Sequence, residues 1–426
     1  MVTRIQAGSL ARVRTEPESW LRFNRASPVI DSLFAAYVAG SVIFATILQS
    51  LTPILIALAT PLYCLLRWER VATVLLRCWP ILLLPAFALT SALWSEAPAA
   101  TLRYGIFYLL TIMPALFIGA GSDRLASLKG MFAIFAIYTF ASLVFGRYVS
   151  WGVSGIAFAG LAGSKNMSGD LAALTMLLAT TFGIWAMGQR RLVLAGFAVL
   201  TLLAALYALF ASKATGALLA AGMAIPCILL WTASRRLPVG LRTAIFALTV
   251  LIAIGVAASA SYWMAPLFDM VLENSGKDQG LTGRDFLWSM ADRLIVERPL
   301  LGGGYRHFWL ESNLDAQYVW REMMVPAGGG GFNFHNTPRD ILVDLGIVGL
   351  ILFTMVMIGG TFLTMFRTML EPYYMGIFLC ALIVFQAPRL FFELVAFQNM
   401  HYSTLLVFMI LAYGVRPAKV SQAEHA

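Results

Sequence analysis

Charged side chains are scarce in this sequence. Asp, Glu, Lys and Arg make up 12% of its 426 residues, whereas hydrophobic residues make up 60%. The mean hydropathy is +0.80. Because a soluble domain carries roughly 25% charged residues, this shortage excludes an ordinary soluble enzyme and indicates an integral membrane protein.

Cysteine and histidine are also rare, with four of each in the chain. The cysteines lie in or beside apolar runs: Cys64, Cys78, Cys227 and Cys380. None lies in the long polar stretch near residue 300, so we expect no structural disulfide. The histidines lack the spacing of metal ligands, and no phosphate-cradling glycine loop is present. The sequence therefore predicts neither a metal site nor a cofactor.

Twelve apolar runs are long enough, or nearly long enough, to cross a bilayer as helices. They cover residues 29–48, 51–66, 79–94, 104–120, 130–146, 166–187, 192–211, 217–233, 243–264, 341–364, 373–388 and 395–414. The predicted fold is an all-α integral membrane protein with about 12 transmembrane helices and one large external loop that contains amphipathic helices.

Basic residues are divided unevenly between the connections of these spans. With the N-terminus in the cytoplasm, 18 of them fall on the cytoplasmic side and five in the short external connections. Lys and Arg favour the cytoplasmic side, so this orientation is the predicted one and the loop 265–339 is external. The surplus of positive charge is then explained by topology and anionic lipid, and nucleic-acid binding is not expected.

The predicted topology divides the chain into five parts. These are a cytoplasmic segment 1–27, transmembrane helices 1–9 over 28–264, the external loop 265–339, transmembrane helices 10–12 over 340–415, and a cytoplasmic tail 416–426. Within the loop, an apolar face at helical spacing predicts an amphipathic helix over roughly 283–298. Thr282 and Asp285 resemble a capping box at its start, and Pro299 ends it.

Arg284 and His335 are the main candidates for chemistry in the external loop. Arg284 follows a helix start, where a cation opposes the helix dipole, and a bound anion such as pyrophosphate would explain that placement. A surface arginine facing lipid headgroups is the competing interpretation. His335 precedes a proline-started helix and suits a general base or a hydrogen-bond donor. An interfacial histidine satisfied by backbone groups is the alternative there.

Other polar groups fall on the same predicted face. Lys165 and Lys213 stand at the external ends of two spans, where a lone lysine usually extends to the membrane interface. Arg389 and Glu393 also lie near this face, and we expect an ion pair between them. Several charged groups on one face indicate a site for a charged substrate.

These residues form a pattern that resembles a known family. The matching motifs are Thr282-Gly283-Arg284 with Leu287-Trp288, Arg298-Pro299-Leu300-Leu301-Gly302-x-Gly304, His335-Asn336 with Asp344-x-Gly346-x-x-Gly349, and the shorter Lys165-Asn166 and Ser212-Lys213. They resemble the O-antigen ligase and Wzy-type polysaccharide polymerase superfamily, and within it the exopolysaccharide polymerases of the ExoQ type. The resemblance covers roughly residues 160–350.

The resemblance implies a metal-independent membrane glycosyltransferase of the bacterial inner membrane, active on the periplasmic face. Its expected partners are an undecaprenyl-pyrophosphate-linked glycan donor, a glycan acceptor, membrane lipids and a chain-length regulator protein. Arg284 and His335 match the family's catalytic positions, whereas Lys213 stands where ligases commonly have Arg. The candidate residues for binding the pyrophosphate or the glycan are Lys213, Lys165, Asn166, Ser212, Arg306, His307 and Asn336.

The expected function is a polymerase that joins lipid-linked oligosaccharide repeats into a surface polysaccharide. Two alternatives stay open. An O-antigen ligase would use the same donor but transfer the glycan to lipid A-core. A flippase or transporter of lipid-linked sugars would need charged or broken helices along a path through the membrane. The predicted helix interiors carry almost no charge apart from Asp170, which favours chemistry at the surface over transport.

Overall fold

The computed structural model describes residues 27–151, 155–259, 262, 283–325 and 331–416. Most of these residues are helical. The α-helices are α1 (Pro28–Ile43), α2 (Ala45–Leu48), α3 (Leu51–Leu66), α4 (Trp68–Thr90), α5 (Pro98–Leu116), α6 (Arg124–Phe145), α7 (Lys165–Gly188), α8 (Leu192–Ala211), α9 (Thr215–Ser234), α10 (Val239–Ala258), α11 (Arg284–Glu297), α12 (Leu314–Glu322), α13 (Thr337–Leu370), α14 (Tyr374–Gln386) and α15 (Tyr402–Gly414). An antiparallel hairpin of β1 (Arg147–Trp151) and β2 (Gly155–Gly160) separates α6 from α7, with Tyr148 opposite Phe158.

The helices are those of an integral membrane protein. Among the described residues, eight segments are long and apolar enough to cross a membrane, and four shorter apolar helices accompany them. Each predicted span overlaps one of these helices, while the count of 12 crossings stays a prediction. Parts of three predicted segments lie outside the described residues. They are 1–26 in the N-terminal segment, 263–282 and 326–330 in and just before the predicted external loop, and 417–426 in the tail.

The centre of the bundle is formed by α7, α14 and α15, most of whose residues are buried. The outer helices instead leave large apolar side chains exposed on one side, for example Leu203 on α8 and Leu230 on α9. Because lipid is as apolar as these side chains, an exposed apolar surface of this kind is expected of a helix that faces the bilayer.

Seven polar or charged residues converge at one end of the bundle, the end assigned to the cytoplasm. Asp31 accepts hydrogen bonds from the backbone N–H of Asp123 (2.8 Å), from Tyr63 (3.0 Å) and from the guanidinium groups of Arg67 (3.1 Å) and Arg70 (3.3 Å). Arg416 donates to the backbone oxygen of Ser122 nearby (2.7 Å). The buried carboxylate is therefore paired, as a charge away from water has to be.

The amphipathic helix predicted over 283–298 is present as α11, and it is packed inward. Its buried residues Leu287, Met290 and Ala291 join a small second core. The rest of that core is Phe308, Trp309, Ala316, Val319, Trp320, Phe334 and Val343. The residue directly before the helix is Gly283, which has a φ of 82°. The capping box of Thr282 and Asp285 stays a prediction. Thr282 lies outside the described residues.

The glycine-rich motif after α11 interlocks with a kink in α13. Gly346 breaks the regular helix with a φ of 62°, and the freed N–H groups of residues 347 and 348 donate to the carbonyl oxygens of Pro299 (2.9 Å) and Leu300 (3.3 Å). A Cβ on Gly346 would lie 2.3 Å from the Leu300 oxygen. A Cβ on Gly302, which has a φ of 64°, would lie 2.5 Å from the carbonyl carbon of Asp344. Only glycine tolerates both the close approach and the left-handed conformation.

Residues 392–401 form an irregular segment, although the apolar run 395–414 predicts helix from its start. Helix α15 begins only at Tyr402. Side chains satisfy the backbone of the irregular segment instead: Tyr108 donates to the oxygen of Ala396 (2.8 Å) and Tyr305 to that of Phe397 (2.9 Å). Non-helical backbone at membrane depth requires such internal partners. This segment brings Glu393 to the site described next.

Candidate active site

His335 lies in a tight turn directly before α13. Its φ is 51°, in the left-handed region that residues other than glycine seldom adopt. The turn is held on both sides. The backbone N–H of His335 donates to the side chain of Asn333 (2.8 Å), and Trp288 donates to the oxygen of Phe334 (3.1 Å). A strained residue that its neighbours hold in place is typical of a functional site.

Asn336 and Thr337 tie this turn to the irregular segment 392–401. Asn336 caps α13 by accepting the N–H of Arg339 (3.0 Å), and its amide donates to the oxygen of Phe391 (3.1 Å). The Thr337 hydroxyl donates to the backbone oxygen of Glu393 (2.8 Å) and accepts the N–H of Val395 (2.8 Å). Glu393 is therefore fixed beside His335. The polar atoms of Asn336 are used in this architecture, so its predicted contact with substrate stays a prediction.

The side chains of Arg284, Glu393 and His335 meet in one cluster. His335 Nδ1 lies 3.0 Å from Glu393 Oε2, and an Arg284 terminal nitrogen lies 3.5 Å from Glu393 Oε1. The three side chains are 28%, 24% and 20% exposed for His335, Glu393 and Arg284. They are thus partly open to a ligand. The structure places the two predicted catalytic residues on opposite oxygens of a single carboxylate.

The carboxylate of Glu393 is stabilised in its charged form. Burial alone raises the pKa of Glu393, but the hydrogen bond from His335 and the positive charges of His335, Arg389 and Arg284 outweigh burial and bring that pKa to about 2. An ionised Glu393 can only accept a hydrogen bond, so Nδ1 of His335 is the donor and carries the hydrogen. The other ring nitrogen, Nε2, makes no hydrogen bond to another described residue and can act as an acceptor.

A second group of polar side chains supports this cluster from within the bundle. Arg389 forms an ion pair with Asp170, and Tyr402 donates to the same carboxylate (2.9 Å). The sequence indicated a pair between Arg389 and Glu393. In the structure Arg389 binds Asp170 directly, and its charge acts on Glu393 from a longer distance. Asp170 is buried, so its pairing with Arg389 offsets part of the cost of desolvation.

The two predicted lysines lie together at the start of α7. Lys165 Nζ donates to the backbone oxygen of Lys213 (3.3 Å). Asn166 follows at the helix start and is half-buried, and Asp170 lies one turn further along the same face. Asp170 in turn pairs with Arg389, whose charge acts on Glu393 of the Arg284 cluster. The structure brings the lysines to the same end of the bundle as Arg284.

Ser212, by contrast, is fully buried and serves the turn between α8 and α9. Its hydroxyl donates to the oxygen of Leu209 (2.6 Å) and accepts the N–H of Ala214 (3.3 Å). Both hydrogen-bonding directions are occupied within the protein. Its predicted role at the substrate stays a prediction, and we assign it a structural role.

Arg306 and His307 form a separate polar group against the kink of α13. The backbone N–H of Arg306 donates to Asp344 (2.8 Å), and its guanidinium donates to the oxygen of Phe332 (3.2 Å). Nδ1 of His307 lies 2.8 Å from the oxygen of Gly304. Both residues are buried, and the structure does not place them in the Arg284 cluster. Their hydrogen bonds stabilise the contact between residues 299–304 and the kink of α13.

Reasoning from sequence did not assign a role at the site to Glu393, Asp170 or Tyr402. A signal for the first two was present, because Asp170 and Glu393 are rare carboxylates in or beside apolar spans, and such groups usually have partners. Glu393 lies 109 residues along the chain from its partner Arg284, and Arg389 lies 219 residues from its partner Asp170. Spacing along the chain does not reveal contacts of that range.

Known proteins resemble this chain in sequence. The family model described as O-antigen ligase matches residues 200–354, which include α11, the glycine motif and His335. The exopolysaccharide production protein ExoQ of Rhizobium meliloti (strain 1021) is 31% identical over 326 residues, covering 76% of this chain and 73% of the relative. The predicted family is therefore confirmed: the chain belongs to the family of O-antigen ligases and ExoQ-type exopolysaccharide proteins.

Proposed function

We propose that this protein is a polymerase that joins undecaprenyl-pyrophosphate-linked oligosaccharides into an exopolysaccharide on the periplasmic side of the inner membrane. The observation that carries the proposal is the Arg284–Glu393–His335 cluster, which combines a cation for a phosphate leaving group with an oriented imidazole. The likeness to an exopolysaccharide production protein supports a polymer as the product.

Glu393 and His335 together would activate the attacking sugar hydroxyl. Because the ionised carboxylate holds the hydrogen on Nδ1 of His335, Nε2 is left with a free electron pair. Nε2 takes the proton of the acceptor hydroxyl while the hydroxyl oxygen attacks the anomeric carbon of the donor. Glu393 then stabilises the imidazolium that forms. A positioned base of this kind contributes roughly 10²–10⁴-fold to a rate.

Arg284 would stabilise the leaving group. The bond between the anomeric carbon and the pyrophosphate oxygen breaks, and its electron pair departs with undecaprenyl pyrophosphate. A guanidinium has five N–H donors, and the 3.5 Å contact to Glu393 engages one terminal nitrogen. The remaining donors can bind the phosphate oxygens, with Lys165 and Lys213 adding positive charge at the same end. Direct displacement of this kind inverts the anomeric carbon.

The experiment that tests the proposal uses purified full-length protein with lipid-linked repeat units. We expect a ladder of lengthened glycans and release of undecaprenyl pyrophosphate, with neither ATP nor a divalent metal added. Product lengths are read on gels and the released lipid by mass spectrometry. Movement of the lipid across the membrane without bond formation would reject the polymerase in favour of a flippase.

An O-antigen ligase is the second candidate function. The matching family model carries that description and covers the part of the chain that holds Arg284 and His335. The chemistry at the donor is the same, so the cluster fits both reactions. The two differ in the acceptor. Transfer only onto added lipid A-core, with no ladder in its absence, would identify the ligase.

A further inference from the structure

An open groove of about 460 Å³ lies between α3 and α5. This volume falls in the range of small-molecule sites, roughly 300–1,000 Å³. Pro53 and Ala57 line it from α3, and Phe107 and Leu110 from α5. Each pair is three or four residues apart, so each helix presents one apolar face to the groove. The shape and lining suit a hydrocarbon chain.

A cation stands at the mouth of this groove. Arg103 lines it, is exposed and forms no ion pair with another described residue. Its guanidinium lies beside the rings of Phe107 (5.6 Å) and Tyr104 (5.9 Å). The aromatic rings restrict the position of the Arg103 guanidinium. Its planar N–H donors can then bind two phosphate oxygens at once.

The groove lies next to the irregular segment 392–401, which also carries Glu393 of the candidate active site. Met400 lines it and belongs to the irregular segment 392–401 that carries Glu393, and its N–H donates to Thr111 of α5 (2.8 Å). Ala45 also lines the groove, and the hydroxyl of the next residue, Thr46, lies 4.0 Å from the sulfur of Met167, two residues after Lys165. A lipid in the groove would therefore hold its headgroup at the same end of the bundle as the reacting groups.

The proposed reaction needs two lipid anchors at once. Joining two lipid-linked oligosaccharides breaks only one bond between a sugar and a pyrophosphate, so the second lipid stays on the product. Arg284, Lys165 and Lys213 serve the pyrophosphate that leaves. The pyrophosphate that stays needs a separate cation and its isoprenoid chain a separate groove.

We propose that the groove between α3 and α5 binds the isoprenoid chain of the acceptor and that Arg103 binds the acceptor's pyrophosphate. This inference rests on the proposed polymerase function, because a reaction with a lipid-free acceptor has no use for a second anchor. The remainder of the chain, beyond the groove, lies in the surrounding bilayer.

Photocrosslinking tests occupancy of the groove without any turnover. The full-length protein carries p-benzoylphenylalanine in place of Phe107, or in place of Leu58 on the outer face of α3 as the matched control. It is reconstituted in phosphatidylglycerol nanodiscs with trace radiolabelled undecaprenyl pyrophosphate. We expect labelling from position 107, about tenfold less from position 58, and about a tenfold loss in the Arg103→Ala background, as for removal of one charge-assisted contact. Equal labelling from both positions, or labelling that Arg103→Ala leaves unchanged, would mean that the labelled lipid contacts the protein non-specifically from the bilayer, and would overturn the proposal.

Kinetics then separate the groove from the catalytic cluster. With a lipid-linked acceptor, Arg103→Ala should raise the acceptor KM about tenfold, whereas with a lipid-free repeat unit it should match the wild type. Ala57→Trp, which fills the groove, should behave likewise, with Leu58→Trp as its control. An equal effect on both acceptors would contradict an anchor site. Polymer formation without specific crosslinking rejects the groove alone, whereas specific crosslinking without polymer rejects the polymerase function.

Discussion

Glu393 contacts both side chains to which the sequence assigns catalytic roles. It accepts a hydrogen bond from His335 and forms an ion pair with Arg284. One carboxylate therefore orients the proposed base and keeps the proposed phosphate-binding cation beside it. A single ion pair or hydrogen bond at a partly exposed position contributes little to holding a side chain in one conformation. Together with the ties of Thr337 to the Glu393 backbone, the two interactions define a site that is formed before a ligand arrives.

Replacing Arg284 tests its contact with phosphate. We expect Arg284→Ala to lose about a hundredfold or more in polymer formation, because a preorganised donor to a developing negative charge is removed. Arg284→Lys should recover only part of the activity, since lysine keeps the charge but not the planar fork. Initial rates of glycan elongation measure this, with membrane insertion checked by immunoblot. Wild-type rates for Arg284→Ala would exclude a catalytic role.

Replacing His335 separates a base from a hydrogen-bond donor. If Nε2 accepts the proton, His335→Ala and His335→Gln should both lose at least roughly a hundredfold in rate. Glutamine can donate a hydrogen bond but cannot take up a proton at neutral pH. Single-turnover elongation rates provide the measurement. Substantial activity of His335→Gln would reduce His335 to a hydrogen-bonding role.

The depressed pKa of Glu393 predicts how stability depends on pH. A carboxyl whose pKa falls from 4.5 in the unfolded chain to about 2 in the folded protein stabilises the fold fully above pH 4.5. That contribution is lost as the pH falls from 4.5 to about 2. The melting temperature of wild type should therefore exceed that of Glu393→Gln above this window and approach it towards its lower end. A difference in melting temperature that is constant across the window would contradict the predicted ionisation.

Residues 299–304 pack against the kink of α13 at Gly346, and this contact, the interlock, holds the glycine motif and the helix in a fixed relative position. The kink at Gly346 exposes backbone donors of α13, and residues 299–304 supply the acceptors and fill the space. The same helix begins just after the His335 turn, at Thr337, and carries Asp344, which accepts a hydrogen bond from the backbone of Arg306. The position of the histidine turn thus depends on packing more than a helical turn away.

Substitution at the kink tests this dependence. Gly346→Ala should lower the melting temperature in detergent by several degrees, because alanine at a φ of 62° costs about 1–2 kcal/mol and its Cβ would lie 2.3 Å from the Leu300 oxygen. Gly359→Ala is the matched control in the same helix, where a Cβ meets nothing within 4 Å. We expect it to leave stability unchanged or slightly raised. Equal melting temperatures for the two variants would show that the interlock carries no stability.

The basic residues predict the orientation of the whole molecule in the membrane. Reporter fusions after residue 310 should report the periplasm, and fusions after 190 or 236 the cytoplasm, because 18 basic residues fall on one side against five in the short connections of the other. Alkaline phosphatase and green fluorescent protein fusions give the two signals. A cytoplasmic signal from residue 310 would place Arg284 and His335 away from a periplasmic substrate and end the proposed function.

Local patterns in the sequence were sufficient for several features of the molecule. Long apolar runs predict helices because a backbone in lipid has to satisfy its own hydrogen bonds, and the structure has a helix at each predicted span. The apolar face of α11 and the proline start of α13 are equally local and were confirmed. Residues 392–401 were predicted in part as helix, because hydropathy does not register that Tyr108 and Tyr305 satisfy their backbone.

By itself the sequence determined that this is a helical membrane protein, where its one long polar loop lies, and that Arg284 and His335 are its candidates for chemistry. Only the tertiary structure decided that Glu393 joins those two, that Arg389 binds Asp170, and that Arg306 and His307 support the interlock. The physical reason is range. Helix formation depends on neighbours within a few residues, whereas a site made of side chains 58 to 219 residues apart exists only once the bundle has packed.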